Sequence, residues 1–194
     1  MRVIGGSARG RKLKAPPGGG TRPITDRAKE AVFNMLGSLG ALEPGDAVLD
    51  LYAGSGSFGI ESLSRGAGSA TFVEQDRAAA TVLKANLSHL GFDDRAEVLV
   101  APVERAVRNL GGPGPGPGPG PGPGAPGPRP AVAFCDPPYA LDPWAELIPL
   151  LPAAVLVGHA ETEIDLPAGW EALRRKTYGR SHIVIAERVE IVPD

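Results

Sequence analysis

Apolar positions recur along this chain with two periods, and the changes between them mark its elements. From residue 26 to 39, Ala28, Val32, Met35, Leu36 and Leu39 return at helical spacing, the signature of one buried helix face. Thr25 or Asp26 can cap that helix, and Asp26 suits its positive end. From residue 45 short apolar runs alternate with helical patterns. Residues 47–51 read as a strand and 57–65 as a helix. Residues 70–73 form a second strand, followed by a helix over 76–90 that Gly91 stops. A strand over 96–100 and a helix over 103–110 come next. Residues 131–135 are a fourth, wholly apolar strand. Asp142 as N-cap and Pro143 at the first helical position predict a helix to about residue 151. Residues 154–157 make a fifth strand, and 171–178 with 182–189 a closing pair around a Gly179-Arg180 turn. Repeated strand–helix units predict an α/β fold: a doubly wound, mostly parallel seven-stranded sheet with ligands at the carboxyl ends of the strands.

Two segments escape this pattern. Residues 1–24 are punctuated by Gly5-Gly6, Gly10 and Pro16-Pro17-Gly18, which predicts an extended arm or hairpin. Residues 111–128 are all Gly or Pro except Ala125. Their alternation has period two, whereas collagen needs three. Pro removes donors and Gly raises the entropy of the unfolded chain, so a packed structure is not expected there. The segment reads as a tolerated low-complexity insertion at the amino-end side of the sheet. The organisation expected is therefore a basic arm over 1–24 and one globular domain over 25–194, interrupted at 111–128.

Charge sharpens the view of the arm. The net charge of −2 hides eight basic against two acidic residues in 1–30, and 12 against 20 in the remainder. A +6 segment on a −8 body suits a polyanion engaged at one end. Length and composition point to one domain, and no run of about 18 apolar residues is present to span a membrane. Met1-Arg2-Val3-Ile4-Gly5-Gly6 lacks an apolar leader, and Cys135 is the single cysteine. A cytoplasmic protein without disulfides is expected. His89, His159 and His182 have no ligand spacing, so no metal is expected.

Two motifs carry chemistry. Asp136-Pro137-Pro138-Tyr139 follows the fourth strand. Two fixed φ angles stiffen this loop, Asp136 and the Pro137 carbonyl supply acceptors, and Tyr139 supplies a flat ring. Such a loop suits a planar amine, held by stacking and through its NH2 group. Earlier, Gly54, Gly56 and Gly59 satisfy G-x-G-x-x-G at the first strand–helix turn, with Glu74 20 residues beyond Gly54. That pattern fits a dinucleotide. However, Asp50 under the turn would repel a pyrophosphate and attract a cationic ligand, and Glu74 can accept two ribose hydroxyls.

Together, Asp50-x-x-x-Gly54-x-Gly56, Glu74 and Asp136-Pro137-Pro138-Tyr139 resemble the class I S-adenosylmethionine-dependent methyltransferases, whose fold is Rossmann-like. A closer resemblance runs through residues 2–13, residues 22–34, Leu51-Tyr52-Ala53-Gly54-Ser55-Gly56 and Glu61-Ser62-Leu63-Ser64-Arg65-Gly66-Ala67. These look like the bacterial 16S rRNA guanine-N2 methyltransferases of the small subunit. The resemblance implies methyl transfer from S-adenosyl-L-methionine, leaving S-adenosyl-L-homocysteine, to a guanine amine in 16S rRNA, free or within an assembling or assembled small subunit. It implies Asp136, Pro137, Pro138 and Tyr139 as the transfer loop. The cofactor would meet Asp50, Tyr52, Ala53, Gly54, Ser55, Gly56, Glu74, Gln75, Val103 and Asp136. Arg2, Arg9, Arg11, Lys12, Lys14, Arg22, Thr25, Asp26 and Arg27 would serve the RNA side, and a monomer is the default. Ala101-Pro102-Val103-Glu104 lacks the polar residue that relatives often place near adenine, and the Gly-Pro insertion is unusual. Rivals stay open: an adenine-N6 methyltransferase of DNA or RNA, a non-catalytic RNA-binding assembly factor, and a nicotinamide oxidoreductase.

Overall fold

The computed structural model describes residues 1–16, 24–111 and 129–190; Arg22 and the Gly-Pro stretch beyond Gly111 lie outside the described residues. Helix α1 spans Asp26–Leu39. The Thr25 hydroxyl accepts from the Ala28 amide at 3.2 Å, and Gly40 ends the helix with φ 62°. Strand β1 (Ala47–Leu51) leads to α2 (Ser57–Ser64), and β2 (Ser69–Val73) to α3 (Arg77–Leu90). Asp76 caps α3 by accepting from the Ala79 amide at 2.7 Å, and Gly91 closes it in the left-handed region. Then come β3 (Ala96–Leu99), α4 (Val103–Asn109), β4 (Val132–Cys135), α5 (Trp144–Leu147), β5 (Val155–Ala160), β6 (Trp170–Tyr178) and β7 (Ser181–Arg188).

The seven strands form one sheet in the order β3-β2-β1-β4-β5-β7-β6. The pairs from β3 to β5 are parallel, and β7 runs antiparallel to both β5 and β6. Winding reverses between β1 and β4, where a crevice opens at the carboxyl ends of the strands. Alternate side chains of the central strands serve two cores, as period-two geometry requires. Val48, Phe72, Phe134, Val157 and Ile185 pack with α1, α2 and α3 on one face. Leu49, Val73, Ala133, Cys135 and Leu156 pack with α4 and α5 on the other. Phe58 stacks on Phe134 at 4.9 Å, so it belongs to the core. Trp144 and Trp170 are buried as well.

One predicted element is shortened. The helix expected from Pro143 to about residue 151 is α-helical only over Trp144–Leu147 and tightens to a 3₁₀ turn over Ile148–Leu150. Pro149 is the cause: it has no N–H for the ladder, and its ring clashes with the carbonyl four residues back. Pro143 itself sits at the N-cap, so Asp142 falls outside the helix.

The basic N-terminal segment is a hairpin folded onto the domain. The Val3 amide donates to the Arg11 carbonyl and the Gly10 amide to the Val3 carbonyl, each at 2.9 Å, and Arg2 bridges to Lys12. Val3, Ala8 and Leu13 enter the same core as α1–α3. A buried ion network fastens it. Glu61 of α2, wholly buried, accepts from the Ile4 and Gly5 amides at 2.7 Å each and from Arg65 Nε at 2.8 Å. Lys29 Nζ lies 3.5 Å from the same carboxylate and donates to the Arg2 carbonyl at 2.9 Å. Burial pulls the Lys29 ammonium below its ordinary pKa, and Glu61 pulls it back up. Among the described residues no helix is long and apolar enough to cross a membrane.

Candidate active site

The chain turns at the carboxyl end of β1 through a strained residue. Tyr52 has φ 55°, rare for a non-glycine, and its hydroxyl donates to Glu104 Oε1 at 3.1 Å. Burial, with Cys135 and Glu104 adding, holds the phenol above its usual pKa, so it stays a donor. Gly54 follows with φ 54°, and a Cβ there would meet only the Tyr52 carbonyl, at 4.0 Å. Its surface is therefore open to close approach by a ligand. Gly59 is the opposite case, since a Cβ there would fall 2.3 Å from the Phe72 ring.

Two carboxylates shape this turn. Asp50 Oδ2 accepts from the Gly59 amide at 2.8 Å and fixes the start of α2. Burial first, then the neighbouring charges of Asp136 and Glu74, push the Asp50 carboxyl up to about 8. Glu74, at the carboxyl end of β2, accepts from the Gly54 amide with Oε2 and from the Asp76 amide with Oε1, each at 2.8 Å. Each oxygen keeps a second lone pair for a ligand.

Across the β1–β4 switch, Leu51 pairs with Cys135, which places Asp136 one residue beyond. Its side chain is 28% exposed. Pro137 is buried, Pro138 half-buried, and the turn closes with the Leu141 amide donating to the Pro138 carbonyl at 2.8 Å. Tyr139 is 37% exposed, a ring open to stacking. Cys135 beside it is buried, and burial raises its thiol well above the ordinary value.

Asp50, Tyr52, Gly54, Glu74 and Asp136 thus share one edge of the sheet. Ala53, Ser55 and Gly56 belong to the same turn, and Gln75 is exposed beside Glu74. Val103 is buried and packs its side chain with the α4 core. Arg9, Lys12, Lys14 and Arg27 are exposed. Arg2 pairs with Asp26 at 2.9 Å, Arg11 donates to the His89 carbonyl at 2.6 Å, and Thr25 is spent on the α1 cap.

Two site features have no local sequence signature. Asn86, buried on α3, donates to the carbonyls of Lys14 and Ser55 at 3.0 Å and accepts from the Lys14 amide at 2.9 Å. It joins hairpin to glycine turn. His159 on β5 lies 2.7 Å from Asp136 Oδ1. Its signal was register: β4 and β5 pair Cys135 with Gly158, so the residues after them meet.

Three acids around a glycine turn with an open face fit a ligand bearing a cationic head and hydroxyls, and the exposed Asp136–Tyr139 loop fits a planar amine. Comparisons with known proteins agree with that chemistry. Residues 1–116 match the family model described as conserved hypothetical protein 95. The chain is 35% identical to YlbH of Bacillus subtilis over 97% of this chain and 99% of that one. It is 34% identical to ribosomal RNA small subunit methyltransferase D of Escherichia coli K12, over 93% and 86% of the two chains. The solved structure of yhhF from Escherichia coli superposes with a TM-score of 0.77 at 32% identity, covering 97% of this chain and 98% of that one. By sequence and by fold, this chain belongs to the conserved hypothetical protein 95 family, the family of the ribosomal RNA small subunit methyltransferase D proteins.

Proposed function

We propose that this protein transfers a methyl group from S-adenosyl-L-methionine to the exocyclic N2 amine of a guanine in 16S rRNA of the small ribosomal subunit. One observation carries the reading: the Asp136–Tyr139 loop faces the Asp50–Gly54 turn across the β1–β4 switch. Bound there, the cofactor supplies an electrophilic methyl group on a positively charged sulfur. The open face of Gly54 and the Glu74 carboxylate would hold it, with the negative potential of Asp136 favouring its charge and Asp50 fixing the turn through the Gly59 amide. Adenine would rest against backbone and apolar surface near Val103, and Gln75 would lie at the ribose edge.

The chain's own residues do the positioning. A guanine N2 lone pair is delocalised into the ring and is a weak nucleophile. Asp136 and the Pro137 carbonyl accept its two N–H bonds, which aims the nitrogen and favours the positive charge that develops on it. Tyr139 stacks on the extruded base, a contact worth about 1–3 kcal/mol. Pro137 and Pro138 hold these groups without loop entropy to lose. The exposed cations Arg9, Lys12, Lys14 and Arg27 lie along RNA phosphates, while Arg2, Arg11, Asp26 and Thr25 order the segment that carries them. The protein acts as a cytoplasmic monomer.

Transfer of tritiated methyl to small subunits, naked 16S rRNA and duplex DNA, with nucleoside mass spectrometry of the products, tests the reading. N2-methylguanosine in rRNA is expected. Methyladenine in DNA as the main product would overturn it. Asp136→Ala should abolish transfer while S-adenosylhomocysteine binding stays within about threefold; an active Asp136→Ala enzyme would remove Asp136 from its role.

A further inference from the structure

The proposed transfer makes no use of a buried imidazole at the Asp136–Tyr139 loop. His159 is 1% exposed, and its Nδ1 stands 2.7 Å from Asp136 Oδ1. Its Nε2 is buried and has no hydrogen-bond partner among the described residues. Tyr139 meets the same imidazole edge-on, with ring centroids 6.0 Å apart and planes at 73°. One side chain of β5 therefore touches both functional ends of the Asp136–Tyr139 loop.

The tautomer follows from these contacts. With the proton on Nε2, a donor would be stranded in the core, and the Nδ1 lone pair would face a carboxylate oxygen. With the proton on Nδ1, that N–H donates to Oδ1, and only an unpaired lone pair remains at Nε2. A buried unpaired donor is the costlier defect.

We infer that His159 is a positioning residue for methyl transfer: its Nδ1–H pins Asp136 Oδ1 and leaves Oδ2 aimed at the substrate amine, while its ring sets the plane of Tyr139. The inference rests on the proposed reading of the loop. A carboxylate turns easily about its last torsion, and one fixed oxygen removes that freedom. The ring is 1% exposed and contacts Asp136 and Tyr139, so it acts through them.

Two variants and one spectrum test this. His159→Asn offers an amide N–H near the Nδ1 position; His159→Leu fills the space with none. In His159→Leu, kcat on small-subunit rRNA should fall about 10- to 100-fold, the scale of an ångström-level misplacement. Its KM for RNA and Kd for S-adenosylhomocysteine should stay within about threefold. His159→Asn should recover kcat to within about fivefold of wild type. Long-range ¹H–¹⁵N spectra of the cofactor-free wild-type protein should show His159 protonated at Nδ1. Wild-type kcat in His159→Leu, an Asn variant as impaired as the Leu variant, or a proton on Nε2 would each overturn the inference. A wild-type enzyme inert on every RNA would instead overturn the functional reading, with the spectrum still deciding the pair.

Discussion

Replacing Glu61 should do more damage than any surface change in this chain. Its carboxylate has no contact with water and serves four donors: the Ile4 and Gly5 amides, Arg65 Nε and Lys29 Nζ. In Glu61→Ala the Lys29 ammonium, 1% exposed, loses its counter-charge. Breaking a buried pair from one side costs about 3–5 kcal/mol. The two amides lose charged acceptors in a half-buried place, about 1 kcal/mol each at the low end of the range. Arg65, 27% exposed, can turn to water and adds little. The total is about 5–7 kcal/mol, comparable with the whole stability of many domains. Glu61→Gln keeps one acceptor and the shape, so about 3 kcal/mol is expected. Urea unfolding followed through the buried Trp144 and Trp170 measures both. Lys29→Met should cost at least 2 kcal/mol less in a Glu61→Leu background than alone, because the stranded charge is already gone. Trypsin should also cut earlier between Arg9 and Lys12 as the hairpin loosens. A Glu61→Gln protein within 1 kcal/mol of wild type, or equal Lys29→Met costs in the two backgrounds, would refute this reasoning.

Asp50 gives a pH signature with a definite sign. Its folded pKa is raised to about 8, above the usual 3.9 or so of an unfolded aspartate. Between those values the folded state holds the extra proton, so stability falls as pH rises and levels off above about 8. The slope approaches about 1.4 kcal/mol per pH unit in that window. Asp50→Asn should remove it in urea titrations from pH 5 to 8; an unchanged slope would assign it to other groups. On the RNA side, Arg9→Gln, Lys12→Gln and Lys14→Gln together should lower the slope of log K against log salt by about 2, for three single-strand phosphate contacts. Arg11 is left in place because it anchors the hairpin to His89. The cofactor Kd should not change, and an unaltered salt slope would separate the hairpin from phosphate binding.

Elements with local causes were legible in the residues. Thr25, Asp76 and Gly91 mark helix ends where the capping bonds form. Gly179-Arg180 marks the β6–β7 turn through the Tyr178–Ser181 pair. The α5 helix was overread because Asp142-Pro143 looks like a start signal, while Pro149 acts six residues later. Strand β5 outruns its sequence pattern: the apolar run ends before Gly158, yet pairing with β7 carries the strand to Ala160. The buried ion network was illegible for a physical reason. A lysine within an amphipathic helix normally lies in water, and only the fold brings Glu61 over Lys29 with two hairpin amides. His159 has no ligand spacing in the sequence, and its relation to Asp136 exists only in the parallel register of β4 and β5.

The strand order has a consequence for the covalent chain itself. Residues 24–111 hold β1, β2 and β3 with the Asp50–Gly54 turn, and residues 129–190 hold β4 to β7 with the Asp136–Tyr139 loop. The seam between these halves within the sheet is the parallel pairing of β1 with β4, from Val48–Val132 to Leu51–Cys135. The Gly-Pro segment joins them covalently, from the end of α4 to the start of β4, where the Ala131 amide still bonds the Ala47 carbonyl at 2.8 Å. A cut within it severs no strand or helix described here. The protein is in this sense divisible into one fragment with the proposed methyl-donor turn and one with the proposed amine-acceptor loop. Methyl transfer would then report reassembly of the two through four residue pairs and the cores on either side of them.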